Sequence, residues 1–443
     1  MTDHPSIAVV VLDTLREDIF RSLFDWLPGM RFTNAYSTSH WTVPAHGSLF
    51  TGLYPSEIGV HSRSQTLDCE NPTISEVLNE EGFDTTKYSA NLNIHAWEGW
   101  NRGFDTNIGP DDLTSPFNVD TVDFTEFKSN SGHTGLQLYL ASVLRCFKDD
   151  SSTIFSLLEG VRQVLESYDR GGSKAVTRKV QQESFEQNHF LFVNLMESHS
   201  PYFPPEDYRR LDKSVSPKSW ESFLDGISNL EDIEIAYEDS AKYLSDNYKE
   251  LFKELSNEFD YVITLSDHGE MLGEYGMVDH VSGLYPELTK IPIVISGEDI
   301  RNTTVQEAVS ILDVHATIAD IAGVDVGSRG QSLLMEIEPQ DRLVEYHGLP
   351  SWLRETYIQK GVSNEIYESL NENRYGFVGS DGEYSFETST GELKVTADSQ
   401  ISACNRRSRM NDLIANLNKR EVKESNSEPD DAVLSRLEDL GYA

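Results

Sequence analysis

The sequence predicts an α/β protein in which a mostly parallel central sheet is flanked by helices and followed by a small antiparallel β subdomain. Apolar, β-branched runs alternate along the chain with segments of helical periodicity, the pattern expected of a parallel sheet with helical crossovers. The run at residues 7–12, IAVVVL, is apolar at every position, as in a strand that is buried on both faces. Near residues 375–386, two alternating segments flank the turn sequence GSDG, which predicts a β-hairpin.

The individual elements follow from the same periodicities. The predicted strands cover residues 6–13, 83–90, 189–196, 260–266 and 292–296. The predicted helices cover residues 42–51, 72–81, 239–256 and 307–322. The predicted divisions of the chain are an α/β domain at 1–340 with a helical insertion at 134–186, a β-rich subdomain at 341–400, and an acidic linker with a terminal helix at 401–443.

The composition is strongly acidic. The chain has 74 Asp and Glu residues against 36 Lys and Arg residues, which gives a formal net charge of -38. Because the acidic residues are spread along the whole chain, we expect an acidic surface that excludes nucleic acid as a partner and disfavours anionic membranes. A dense carboxylate surface is typical of proteins that stay soluble in a high-salt cytosol, so the protein is predicted to be halophilic.

The cysteines and the first residues of the chain predict a cytoplasmic protein. Cys69, Cys146 and Cys404 are far apart and lack metal-type spacing, so we expect reduced thiols and no disulfide framework. The chain enters its first predicted strand without a basic or cleavable apolar segment. No run of about 18 apolar residues predicts a membrane span. These features together predict a cytoplasmic location.

The segment at residues 41–52, WTVPAHGSLFTG, is the most informative in the chain. Thr42 can cap a helix that has Pro44 in its first turn and stops at Gly52. A hydroxyl at that position lies at the positive end of the helix, where anions are favoured. The segment therefore suits either a plain N-cap or a nucleophile that attacks an anionic ester.

Two strands that are remote in sequence are predicted to end in metal ligands. The apolar strand at 6–12 ends in Asp13, and a second β-branched run at 261–266 ends in Asp267 and His268. In open α/β sheets, ligands collect outside the carboxyl ends of the strands. Asp and His suit a hard or borderline divalent ion. These residues are therefore candidates for one shared metal site.

These features resemble a sulfatase-type member of the alkaline phosphatase superfamily, and the resemblance runs from about Ile7 to Gly330. Within this family the chain looks like a haloarchaeal-type sulfatase or phosphonate-monoester-hydrolase-like member with Thr at the nucleophile position. Eight short motifs occur in the order that the family shows. They are LDTLR at 12–16, the segment at 41–52 continued by LYPS at 53–56, GFDT at 82–85, RGFD at 102–105, FVNLMESHSPY at 192–202, SDHGE at 266–270 with GE at 273–274, IPIVISG at 291–297, and the closing helix from Asp313 to Gly323.

The resemblance implies a catalytic domain with a metal centre. Asp13, Asp267 and His268 match the family's metal ligands, and Thr42 matches the nucleophile, which also touches the metal. We expect one divalent ion (Ca, Mn, Zn or Mg), since the chain lacks the longer Asp-to-His spacing of the two-zinc phosphodiesterases. Sulfatases proper convert a cysteine or serine at this position to formylglycine. Threonine does not fit that modification, so Thr42 is expected to attack directly.

Five further residues are implied at the substrate. His199 matches a histidine that contacts the ester or its leaving group, and His280 falls near a lysine that contacts the same group. Asn91 and Asn93 fall where typical sulfatases carry a lysine and a histidine, and His46 replaces an arginine. Arg and Lys stabilise spread anionic charge better than amides do. The loss of fixed positive charge favours a phosphodiester, a phosphonate monoester or another singly charged ester over a phosphate monoester dianion.

The predicted activity is a metal-dependent hydrolysis of sulfate, phosphate or phosphonate esters. Thr42 attacks the phosphorus or sulfur, His199 or His280 protonates the departing oxygen, and water then cleaves the Thr42 ester. The expected substrate is a small-molecule or glycan-linked anionic ester. Two alternatives stay open. One is a phosphotransferase of the same superfamily, in which an alcohol replaces the water, and the other is a catalytically silent binding protein that keeps the fold.

Overall fold

The computed structural model describes residues 4–95, 97–110, 113, 171–185, 187–224, 226–396 and 401–422. Its strands are β1 (Ile7–Leu12), β2 (Met30–Tyr36), β3 (Asp84–Ser89), β4 (Thr106–Ile108), β5 (His189–Leu195), β6 (Tyr261–Leu265), β7 (Met271–Leu272), β8 (Val278–Asp279), β9 (Lys290–Gly297), β10 (Thr303–Val305), β11 (Val309–Ser310), β12 (Arg342–Tyr346), β13 (Arg374–Val378), β14 (Tyr384–Glu387) and β15 (Leu393–Val395). Its α-helices are α1 (Glu17–Leu23), α2 (Thr42–Thr51), α3 (Pro55–Ile58), α4 (Ile74–Glu80), α5 (Ser173–Gln182), α6 (Leu230–Glu258), α7 (Pro286–Thr289), α8 (Ile311–Ala322), α9 (Leu353–Gln359), α10 (Asn364–Leu370) and α11 (Ala403–Ala415). Short 3-10 helices cover Leu92–Ile94, Ser219–Phe223 and Glu274–Gly276.

Nine of the described strands form one central sheet. Their order is β10-β2-β9-β6-β1-β5-β3-β4, with β11 also paired to β2. Neighbouring strands are parallel except at β9, which runs antiparallel to both β2 and β6. The carboxyl ends of β2, β6, β1, β5 and β3 therefore lie at the same edge of the sheet. Ligands of open α/β sheets bind at this edge.

The central sheet is buried on both faces. Alternate residues of β1 belong to two separate apolar layers: Ile7, Val9 and Val11 to one, and Ala8, Val10 and Leu12 to the other. Helices α2, α4 and α8 close the first layer, and α1, α5 and α6 close the second. Every residue of β1 is fully buried, which confirms the predicted two-faced strand. This packing fixes the position of the carboxyl end of β1 and therefore the position of Asp13, the polar residue that follows it.

The predicted fold class is confirmed, and β1, β3, β5, β6 and β9 correspond to the predicted strands. Strand β2 was not predicted, because its sequence MRFTNAY mixes polar and apolar residues and its burial is only partial. Helix α6 begins at Leu230 and not at residue 239, since Ile233 and Tyr237 continue its buried face. Of the predicted insertion at 134–186, residues 171–185 are described and form α5; the remainder lies outside the described residues.

The small C-terminal sheet joins β12, β13, β14 and β15 in antiparallel order, which confirms the predicted β subdomain. Helix α11 occupies the start of the segment predicted as an acidic linker, and the predicted terminal helix lies outside the described residues. Three arginines of α11 form ion pairs with carboxylates of the subdomain: Arg406 with Asp381, Arg407 with Glu387, and Arg409 with Asp341. These ion pairs hold α11 against the subdomain, and residues 423–443 of the predicted linker and terminal helix lie outside the described residues.

Replacing Arg406 by alanine is expected to destabilise the protein strongly. Arg406 is fully buried and donates both to Asp381 and to the Glu383 carbonyl. Removing one partner of a buried ion pair costs about 3 kcal/mol or more, which should lower the midpoint of thermal unfolding. Arg407→Ala is the matched control: its side chain is 37% exposed, and exposed pairs contribute less than about 1 kcal/mol. Equal shifts in the two variants would contradict this account.

Candidate active site

Asp13, Asp267 and His268 meet at the carboxyl edge of the central sheet. Asp13 follows β1, and the other two residues follow β6, which is the neighbour of β1 in the sheet. One ligand atom from each residue lies within 4.8 Å of the others. The His268 Nε2 atom is 3.5 Å from Asp267 Oδ2 and 4.0 Å from Asp13 Oδ1. All three side chains are fully buried, so the structure brings together the residues that the sequence singled out as metal ligands.

Thr42 begins α2 beside this group. Its Oγ1 atom lies 3.3 Å from His268 Nε2 and 3.5 Å from the Asn91 amide nitrogen. The predicted capping role is wrong: Trp41 occupies the N-cap position, and Thr42 is the first helical residue. The Thr42 hydroxyl therefore faces the histidine and the amide.

The donor atoms of this group fit a divalent cation. Asp13 Oδ1 and Asp267 Oδ2 are buried and accept no hydrogen bond from the described residues. His268 Nδ1 lies 2.8 Å from the Gly269 carbonyl and donates to it, which leaves Nε2 as the basic nitrogen. Two carboxylate oxygens and an imidazole lone pair that converge beside a hydroxyl match the ligand preferences of hard to borderline divalent ions.

Burial opposes the ionisation of the carboxylate pair. It raises the pKa of Asp13 to about 6. It also raises the pKa of Asp267 well above its usual range, and the neighbouring Asp13 charge adds to that shift. Burial lowers the pKa of His268, so its imidazole is neutral and suited to coordinate a metal. A bound cation would supply the missing counter-charge and reverse the carboxylate shifts.

Amides from two further strands hold the Asp13 carboxylate. Asn91, which lies just beyond β3, donates from Nδ2 to Asp13 Oδ2 at 2.7 Å. Asn194, near the end of β5, donates to the same oxygen at 3.1 Å. These two bonds orient Asp13 so that Oδ1 is left for a ligand. Asn91 was predicted to bind substrate, and its contacts place it between Asp13 and the Thr42 hydroxyl.

His46 was also predicted to bind substrate, but both of its ring nitrogens contact protein groups. Nδ1 lies 3.0 Å from the Thr42 carbonyl and 3.5 Å from Asp267 Oδ2, and Nε2 lies 3.3 Å from the Asn194 amide. The ring is fully buried, and burial lowers the pKa of His46 to about 3. His46 is therefore neutral, and it connects α2 to β5 without supplying the charge of the arginine that it replaces.

His280 is held as a cation by two buried carboxylates. Its Nδ1 atom lies 3.2 Å from Glu270 Oε1 and 3.2 Å from Asp279 Oδ1. Burial lowers the pKa of His280, but the charges of Glu270 and Asp279 more than offset this effect and raise the pKa to about 9. The Tyr202 hydroxyl donates to Glu270 at 2.8 Å and fixes its position. The rings of His280 and His268 lie 4.8 Å apart between centroids, so this positive charge borders the metal-ligand group.

Glu270, Asp279 and His280 also have the residue types of a metal site. Their mutual distances are those of hydrogen bonds between a protonated histidine and its counter-ions. We therefore interpret this second group as an ion-paired network and keep the expectation of one metal ion.

His199 lies beside His280, with ring centroids 5.1 Å apart. Its Nδ1 atom is 2.6 Å from the Ser200 carbonyl and donates to it. Burial and the charge of His280 lower the pKa of His199 to about 3. A neutral ring protonated at Nδ1 has no proton to give from Nε2. Of the two histidines considered as the general acid, the electrostatics favour His280.

An apolar pocket lies beside His280 and carries Asn93 in its wall. Trp41, Val281, Trp352 and Leu353 also line it. Asn93 is 2% exposed, and its Nδ2 atom has no hydrogen-bond partner among the described residues. The Asn93 amide thus keeps a donor in the pocket wall, and its contact with the substrate stays a prediction.

Sequence reasoning missed four residues that shape this site: Asn194, Glu270, Asp279 and Tyr202. Asn194 interrupts the otherwise apolar strand FVNL, and a polar residue in a buried strand is a signal that could have found it. Glu270 directly follows the metal-ligand motif. Asp279 and Tyr202 acquire their contacts only through the tertiary fold, so no local pattern distinguishes them.

The fold and the grouped Asp, His and Thr residues define an α/β protein with a candidate metal centre, and comparisons with known proteins show its family. The family model described as Sulfatase matches residues 21–324. The uncharacterized sulfatase YidJ from Escherichia coli (strain K12) is 19% identical over 345 residues, which cover 72% of this chain and 66% of YidJ. The phosphonate monoester hydrolase of Agrobacterium radiobacter has a similar structure, with a TM-score of 0.63, 15% identity, and coverage of 93% of this chain and 95% of that chain. The structure of BT4656 in complex with its substrate D-glucosamine-2-N,6-O-disulfate gives a TM-score of 0.60 at 15% identity and covers 97% of this chain and 99% of that chain.

The chain belongs to the sulfatase family, since the family model covers more than half of its length. The predicted resemblance to sulfatases is confirmed at the level of the family, whereas the haloarchaeal type and the Thr nucleophile stay predictions. The match spans a little under two thirds of the length of YidJ. None of the helices described here is both long and apolar enough to cross a membrane. The cytoplasmic location and the halophilic character stay predictions.

Proposed function

We propose that this protein is a metal-dependent hydrolase of singly charged esters (sulfate monoesters, phosphodiesters or phosphonate monoesters) with Thr42 as its nucleophile. The observation that carries the proposal is the approach of the Thr42 hydroxyl to 3.3 Å from His268 Nε2, beside the converging oxygens of Asp13 and Asp267. Membership of the sulfatase family supports ester hydrolysis in general.

The residues divide the chemical tasks between them. A divalent ion held by Asp13, Asp267, His268 and Thr42 would polarise the hydroxyl and neutralise charge on the ester oxygens. The Thr42 hydroxyl loses its proton to solvent water, and its oxygen forms a bond to phosphorus or sulfur as the bond to the leaving oxygen breaks. His280 gives its proton to the leaving oxygen and later takes a proton back from solvent. Water then cleaves the Thr42 ester and restores the hydroxyl.

The charge around the site supports a singly charged ester as substrate. His280 supplies one positive charge, and the two neighbouring carboxylates, Glu270 and Asp279, offset it fully. Asn91 and Asn93 are neutral. Lys87, the buried lysine of β3, donates to the Ile94 and Trp100 carbonyls and to Asn101, so its contacts are to a loop. A dianionic ester would need more fixed cations than these residues provide.

The pH dependence of turnover tests His280 as the general acid. Its pKa of about 9 keeps His280 protonated near neutral pH, and a bound divalent ion would lower that value. We expect kcat/KM to fall as the pH rises through this pKa, because the deprotonated ring cannot protonate the leaving oxygen. Glu270→Gln removes an adjacent negative charge and should move the falling limb to lower pH by about 1 unit or more. His199→Asn is the control, and its kcat/KM should fall at the same pH as that of the wild type. If kcat/KM of Glu270→Gln also falls at the wild-type pH, His280 is not the general acid.

A substrate panel tests the activity as a whole. Metal-depleted protein in concentrated KCl is supplied in turn with Ca, Mn, Zn or Mg and assayed with p-nitrophenyl sulfate, p-nitrophenyl phosphate, bis-p-nitrophenyl phosphate and an aryl phosphonate monoester. We expect metal-dependent hydrolysis with a preference for a singly charged ester over the phosphate dianion. Absence of both metal binding and turnover would favour a silent binding protein. New esters formed in the presence of alcohols would favour a transferase.

A further inference from the structure

Arg374 is a buried cation without an adjacent carboxylate. Four arginines are buried among the described residues: Arg16, Arg342, Arg374 and Arg406. Three of them bond carboxylates: Arg16 to Asp18 and Glu274, Arg342 to Asp313, and Arg406 to Asp381. Arg374 is 6% exposed and forms no ion pair with any residue of the described part of the chain. Burying a charge without a counter-ion is unfavourable, so this exception calls for a physical reason.

The contacts of Arg374 leave donors for a further acceptor. One guanidinium nitrogen donates to the Ser369 carbonyl, and the group lies 5.4 Å from the centroid of the Tyr346 ring. Both partners are neutral. A guanidinium carries five N–H donors in a planar fork that matches an oxyanion. One carbonyl and a ring face therefore compensate for only part of its lost hydration.

Arg374 lines a cavity of about 340 Å³, which we call the Arg374 cavity. The rings of Tyr275, Tyr285 and Phe386 line the same cavity, together with the hydroxyl residue Ser282. A cavity of this size accommodates one ring with a charged substituent. The Arg374 cavity is distinct from the pocket beside His280. The two are lined by neighbouring residues of the chain, because Val281 lines the pocket and Ser282 lines the cavity.

The acidic residue of the cavity does not neutralise Arg374. Glu387 lines the cavity, but its Oε1 atom is bonded by Arg407 and its Oε2 atom accepts the Tyr375 N–H at 2.9 Å. The negative charge of Glu387 is thus paired with Arg407. The cavity therefore keeps a positive charge in its wall, although the chain as a whole is strongly acidic.

Aromatic faces in the cavity suit a ring. Tyr275 is 53% exposed and stacks on Tyr285 with centroids 4.7 Å apart and planes 26° apart. Tyr285 in turn meets the ring of Phe386 edge-on at 5.6 Å. The backbone of Tyr275 is left-handed, with φ of 56°, which is rare for a bulky residue. A half-exposed ring beside a buried cation offers a stacking surface and an anion contact together.

We propose that the Arg374 cavity binds a ring that carries an oxyanion, with the oxyanion on the guanidinium and the ring against Tyr275. Two sources supply this chemistry: a second anionic ring of the ester substrate, or a separate sulfated or phosphorylated ring compound. The first source rests on the proposed hydrolase function, and the second does not. The cavity adds a binding site to the protein in either case.

Binding is measured without turnover on the full-length, metal-loaded Thr42→Ala protein by isothermal titration in KCl. With p-nitrophenyl sulfate we expect two sites per chain, one at the metal centre and one in the Arg374 cavity. Adding Arg374→Gln should weaken the second site about 10-fold or more, since it removes charge-assisted hydrogen bonds. Arg63→Gln is the matched control, because Arg63 is exposed and also bonds only neutral groups. Unchanged affinity and stoichiometry in Arg374→Gln would overturn the proposal.

Two further variants separate ligand binding from folding. Tyr275→Asn removes the exposed ring while keeping a residue that tolerates the left-handed backbone, and it should weaken p-nitrophenyl sulfate at the second site but not inorganic sulfate. An equal loss of affinity for both probes, or no loss for either probe, would refute the proposed stacking of the ligand ring on Tyr275. Arg374→Lys keeps the charge and should retain part of the affinity, whereas a general folding defect would remove both sites in any Arg374 variant.

The two sources are distinguished by kinetics on the protein with Thr42 intact. If the cavity holds a second ring of the substrate, Arg374→Gln raises KM for an ester with two sulfated rings and leaves p-nitrophenyl sulfate turnover unchanged. If it holds a separate compound, KM is unchanged for both esters. If no ester is hydrolysed, the proposed function fails, and the titration still decides whether the cavity binds an anionic ring.

Discussion

Thr42→Ala should lower kcat/KM by about 10⁴-fold or more, in the range seen when a catalytic nucleophile is removed. The reason is that the hydroxyl approaching His268 Nε2 is the atom that we assign to form the covalent ester. The ion should remain bound, because Asp13, Asp267 and His268 are still present. The measurement is steady-state kinetics on the preferred ester, together with metal content and circular dichroism of the same preparation.

Thr42→Ser is the matched control for this experiment. It keeps the attacking oxygen but loses the methyl group that restricts rotation of the side chain. We expect turnover to fall by no more than about 100-fold, the range that a misplaced reacting group causes. Mass spectrometry of rapidly quenched reactions should detect an ester on residue 42 in the wild type. Near-normal turnover by Thr42→Ala would remove the mechanism.

Asp267→Asn should abolish activity through loss of the metal, and its effect on stability should depend on whether metal is present. Loss of groups that only orient metal ligands already weakens binding about 10- to 100-fold, so loss of a ligand should weaken it at least that much. Added metal should raise the midpoint of thermal unfolding of the wild type and leave that of the variant nearly unchanged. Asp212→Asn is the control, since the Asp212 side chain is 95% exposed and is not one of the proposed metal ligands.

The metal-free proteins should show the opposite order of stability. Burial raises the folded-state pKa of Asp13 from 3.8 to about 6, and it raises the pKa of Asp267 well above its usual range. A raised carboxyl pKa means that the folded protein holds protons more tightly than the unfolded chain, so stability is lost as the pH rises above about 4. Asp267→Asn removes one of the two charges and should therefore unfold at a higher temperature than metal-free wild type at neutral pH. Equal metal affinity in the two proteins would refute the ligand assignment.

The convergence of Asp13, Asp267, His268 and Thr42 could be predicted because each of these residues lies at the end of a strong local pattern. Asp13 and Asp267 each follow an apolar strand, and Thr42 begins a helix that the sequence marks at both ends. That such residues meet follows from the general rule that ligand sites of open α/β sheets lie outside the carboxyl ends of the strands. The alternation of apolar strands with helical segments predicted the large parallel sheet, and the GSDG turn predicted the hairpin of the small one.

The remaining contacts depend on how distant strands pair, and local patterns carry no information about that. His46 was assigned to the substrate because it replaces an arginine, yet its ring contacts Asn194 from β5. The charge of His280 depends on Glu270, which Tyr202 fixes from another segment. The direction of the Thr42 hydroxyl depends on Trp41, and not Thr42, occupying the N-cap position. Helix propensity does not resolve a difference of one residue at the start of a helix.

The reactive centre draws one polar group from each of four adjacent strands or the residues just after them: Asp267 beyond β6, Asp13 beyond β1, Asn194 in β5 and Asn91 beyond β3. Asn194 stands level with Val11 on one side and Ser89 on the other. A slip of β5 by a single position would turn its amide toward the opposite layer. The proposed metal centre would therefore form only in a chain whose four strands pair in this register.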